Sequence, residues 1–125
     1  SDLIDELRLQ GYLDLIRFAS AYFDDGNLAD LRDAAAIYNA QGAEGDNLLQ
    51  QHALAAWLNF ASGGVLWNRQ IRHLDGPFHE IIGEIDAVLL NPAATKKDLA
   101  DARKDAIRIN TSKPGSSTCN DAGAP

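Results

Sequence analysis

A chain of 125 residues and 13.5 kDa, 46% apolar and 23% charged, carries one domain's worth of sequence. Eleven Lys and Arg against eighteen Asp and Glu give a net charge of −7. That balance speaks against non-specific binding to nucleic acid or anionic membranes, which both need a basic patch. A lone Cys excludes an internal disulfide framework, and no apolar run approaches the length of a membrane span.

Twenty Ala and sixteen Leu against nine Ile, two Val and three Thr favour helix over strand. The first helix is expected from about Asp2 to Phe23. Leu9, Leu13, Ile16 and Phe23 form one row, and Tyr12, Leu15, Ala19 and Tyr22 form a second beside it. Gly11 is expected to kink or split this helix. Asp24-Asp25-Gly26-Asn27 reads as a turn, with Asn27 capping a second helix over about 28–40. Asp46 caps a third over about 47–61, in which Asn59 is the sole polar residue from Ala53 to Ala61. A helix apolar nearly all round is a buried central one. Gly63-Gly64 ends it, and a short helical turn is expected around 67–74.

Pro77 suits a helix start. Phe78, Ile81, Ile82, Ile85, Val88 and Leu89 follow as the cleanest amphipathic stripe, broken at Asn91-Pro92. Thr95 and Asp98 spell a capping box for the last helix, whose inner face is Leu99, Ala102, Ala106 and Ile109. The fold class is all-α: a compact antiparallel bundle of four to five helices over 1–110, with an irregular tail over 111–125. The start at Ser1 and the absence of Met are read as a processed product, an excised fragment or part of a longer chain.

The candidates for chemistry are thin. His52, His73 and His79 lack the spacing of a helical metal pair, and Glu80 and Glu84 lack the partner His of a di-metal carboxylate site. No metal, no cofactor and no catalytic set is expected. Trp57, Tyr38 and Phe60 are candidates to line a pocket for a small apolar or aromatic ligand, with core packing as the plainer reading. Leu66, Trp67, Ile71 and Leu74, apolar side chains in an irregular stretch, are the candidate interface residues, expected to remain exposed on the isolated domain. Asn110-Thr111-Ser112 matches a glycosylation acceptor, which matters only in an exported chain. Cys119, in a Pro/Gly-rich tail, reads as a free thiol, with an intermolecular or tail-pinning disulfide as the alternative. The Asp excess, fourteen of eighteen acids, reads as caps, turns and solvated faces.

Gln51-His52-Ala53-Leu54-Ala55-Ala56-Trp57-Leu58-Asn59-Phe60-Ala61-Ser62-Gly63-Gly64 resembles a helix of modules found near the C-terminal ends of large secreted or cell-surface proteins of archaea and bacteria. Val65-Leu66-Trp67-Asn68, the run Glu84 to Leu99 and the run Ala102 to Asn110 are similar to the segments that follow it there. The likeness covers about residues 48–110. Those modules often carry an Asp-rich, calcium-ligand-like stretch before the fourth helix. Here 69–76 keeps only Asp75-Gly76 of it, so calcium binding is not carried over. The resemblance implies export and a non-catalytic role in an extracellular or cell-surface assembly, acting by packing against other protein chains or a second copy. The rival reading is a bundle that binds a small ligand in its core.

Overall fold

The computed structural model describes residues 3–24, 28–39 and 46–111. It contains five helices: α1 Leu3–Ala19, α2 Leu31–Tyr38, α3 Asp46–Ala61, α4 Phe78–Leu90 and α5 Lys96–Thr111. Among the described residues there is no strand, only one isolated bridge between Gln70 and Pro77. The all-helical class is therefore as expected from composition.

α3 is the hub, as its apolar circumference demands, and it packs against each of the other four helices. Leu49, Ala53, Leu54, Ala56 and Trp57 of α3 are buried in one cluster with the inner faces of the rest. α1 contributes Leu13 and Ile16, α4 contributes Phe78, Ile81, Ile82 and Ile85, and α5 contributes Ala102, Ala106 and Ile109. The last two sets are the stripes expected from spacing alone.

Helix ends show where local chemistry wins. α1 stops at Ala19, short of the expected Phe23, because the Ser20 hydroxyl accepts from Tyr22 N (3.2 Å) and Phe23 N (3.0 Å) and so folds the chain into a turn. Gly11 does not split the helix, which runs unbroken through it. α2 is shorter than expected. Its cap is Asp30, whose carboxylate accepts from Arg32 N (3.0 Å) and Asp33 N (3.2 Å). Asn27, the expected cap, lies outside the described residues. α3 closes at Gly63, whose φ of +88° suits glycine, with Gly64 N donating to Asn59 O at 2.7 Å.

Residues 65–77 form no helical turn, contrary to expectation. The chain doubles back on itself, with Phe78 N donating to Arg69 O (2.7 Å) and His79 N to Trp67 O (3.0 Å). Val65 and Ile71 plug this loop into the core.

At α5 the capping box forms in both directions. Asp98 N donates to Thr95 Oγ1 (3.1 Å), and Thr95 N to Asp98 Oδ2 (3.0 Å). Thr95→Ala removes one of these bonds on an exposed turn. It should lower the unfolding free energy by about 1 kcal/mol, read from the urea midpoint.

Candidate functional site

Two clusters and one surface stand out. The first cluster is polar and buried. Asp86 of α4 is 2% exposed, and its carboxylate accepts from Ser20 Oγ (2.8 Å), Ala21 N (3.1 Å) and Trp57 Nε1 (3.2 Å). The bodies of α1 and α4 do not pack on one another. The carboxylate therefore ties the turn after α1 to α4 and to the central helix. Burial pushes the Asp86 carboxyl above the usual carboxylate range, and the Ser20, Trp57 and backbone donors oppose that shift. With its acceptor capacity turned inward, this acid serves as a fastener between elements. A signal for it existed in the sequence. Asp86 follows Ile82 by four residues, so an acid stands on the inner face of an otherwise apolar helix.

The second cluster is aromatic. Trp57 is 1% exposed and meets Phe60, Phe78 and Trp67 at centroid distances of 5.9, 5.8 and 6.3 Å. Phe60 stacks on Phe78 at 5.3 Å, and Trp67 stacks on His79 at 5.6 Å. Of the three residues expected to line a pocket, Trp57 and Phe60 are adjacent within this cluster. Tyr38 is not. It ends α2, is 44% exposed, and makes no ring contact with either. Rings of the protein itself pack against Trp57.

The expected interface residues separate. Leu66 is 63% exposed and Trp67 45%. Leu74 is half-buried against the core. Ile71 is corrected outright: it is buried, because the loop that doubles back needs an apolar plug beneath it. Asn110 is also engaged. Its Nδ2 donates to His52 O (3.2 Å), and its Oδ1 accepts from Asn59 Nδ2 (2.8 Å). The lone polar residue of the apolar run in α3 thus finds its partner on α5. A glycan on Asn110 Nδ2 would have to displace the His52 bond. Cys119 lies outside the described residues. Among the described residues no group of three or more His, Cys, Asp or Glu lies together as a metal set, and no helix is long and apolar enough to cross a membrane.

The surface that sequence spacing missed is the outer side of α1. Leu13 and Ile16 face the core, yet the opposite side carries Ile4, Leu7, Leu15 and Phe18, with Leu3 at its edge. Phe18 is 90% exposed, Leu3 67%, Ile4 64% and Leu7 63%. These residues leave on the order of 600 Å² of apolar side chain in water, at the upper end of what a monomer shows in one patch. A helix apolar on both sides does not announce which side is the core, and Phe18 belongs to neither of the rows read from spacing.

Compared with family models, curated proteins and solved structures, the chain matches none. Among the described residues the geometry defines a five-helix bundle with one exposed apolar helix face.

Proposed function

We propose that this chain is a non-catalytic helical module of an exported cell-surface or extracellular assembly, acting by packing against protein. The exposed apolar side of α1 carries the reading. Burying such a face against another protein is favourable by about 25 cal/mol per Å², and leaving it in water invites aggregation. Leu66 and Trp67 offer a second, smaller patch. The likeness of residues 48–110 to modules of secreted and surface proteins supports export. The acidic surface agrees with that placement and not with a nucleic-acid partner.

The test is the native mass of the protein in gently solubilised cells and culture medium. The expected result is recovery outside the cytoplasm, in a complex larger than its own chain. The double variant Leu7→Asp/Phe18→Asp should be released from that complex, still helical by circular dichroism. Recovery of the wild type as single chains in the cytoplasm would contradict the reading, and so would a complex indifferent to the double variant.

A further inference from the structure

We propose that the occupant of the outer α1 face is a second copy of this chain, paired antiparallel about a two-fold axis at Gly11. The proposal rests on the packing reading above and names the partner. Ile4, Leu7, Leu15 and Phe18 stand seven and four residues before Gly11 and four and seven after it. A two-fold axis at right angles to the helix exchanges those positions. Ile4 of one copy meets Phe18 of the other, and Leu7 meets Leu15, twice over. Such self-complementarity is what an isologous interface requires.

Gly11 fits the axis. A Cβ built there meets nothing within 4 Å, so no contact among the described residues explains a glycine in mid-helix. At the crossing point of two helices, the absent side chain lets the backbones approach closely. The area is sufficient as well. Two such faces bury about 1,200 Å² together, the lower edge of stable, specific interfaces.

Sedimentation equilibrium of the whole chain provides the test. The expected mass is twice 13.5 kDa at micromolar concentration. Phe18→Asp, at a site exposed in the single chain, should weaken association by about a hundredfold and leave the helical content unchanged. In a Cys119→Ser background, Gly11→Cys should cross-link rapidly under mild oxidation. Leu7→Cys should not, whereas Leu7→Cys/Leu15→Cys should. A single-chain mass up to about 0.5 mM, where a weak pair would still show, overturns the proposal. So does a dimer indifferent to Phe18→Asp, or cross-linking of Leu7→Cys ahead of Gly11→Cys. If the chain sediments alone while its native complex still dissolves on the double variant, the partner is another protein. The packing reading then stands and the homodimer falls.

Discussion

Asp86→Ala should lower the unfolding free energy by about 3 kcal/mol, among the largest effects of any polar substitution in this chain. The substitution leaves Ser20 Oγ, Ala21 N and Trp57 Nε1 without their acceptor. Each is a donor in or beside the core, and an unmatched buried donor costs more than a hydrogen bond contributes. Asp86→Asn should cost less, since the amide oxygen still accepts while its NH₂ faces other donors. The pH dependence separates this account from simple packing. Burial raises the Asp86 carboxyl above its unfolded value, so the folded state holds this proton more tightly. The contribution is complete below the unfolded pKa of about 3.9 and is lost as pH rises through the folded value. The stability of the wild type minus that of Asp86→Asn should therefore fall as pH rises from about 4, then level off. Urea titrations at a series of pH values check this. A difference that grows with pH would contradict it.

Trp57→Ala should destabilise by about 3–5 kcal/mol, the range for deleting a buried aromatic whose cavity cannot close. Three rings surround it, and α3, on which it sits, is the helix that touches all the others. Trp57→Phe should cost less, keeping one ring beside Phe60 and Phe78 while losing part of the indole's buried volume and the Nε1 bond to Asp86. Trp57→Phe and Asp86→Ala should therefore be non-additive, with a coupling on the order of 1 kcal/mol from a double-mutant cycle. Circular dichroism is the suitable signal, because the fluorophore itself is altered. A loss below about 1 kcal/mol for Trp57→Ala would mean that the cluster is not the core's centre.

Much of the fold was legible because its signals are local. The Thr95–Asp98 box, the Phe78–Ile85 stripe and the all-apolar run of α3 each state their structure within a few residues. The boundaries that moved did so through longer or competing bonds. Ser20 ended α1 by bonding its own turn while donating to Asp86, 66 positions away. Asp30 served as the cap of a shorter α2. Ile71 and Trp67 are four apart in one irregular loop, and spacing cannot say which of them plugs the core. The candidate surface was the least legible part. Ile4, Leu7 and Phe18 repeat at helical spacing as faithfully as Leu13 and Ile16 do. The choice of inner side is made by α2 and α3, which pack on one side of α1 and leave the other bare.

A photo-reactive amino acid in place of Phe18, in the cells that make this protein, tests the role of that bare side most directly. Arg72, exposed on the loop between α3 and α4, serves as the control position. A strong protein adduct is expected from position 18 and little from position 72, the adduct's mass distinguishing a second copy from another partner. Adducts from position 18 no more frequent than those from position 72 would contradict that role.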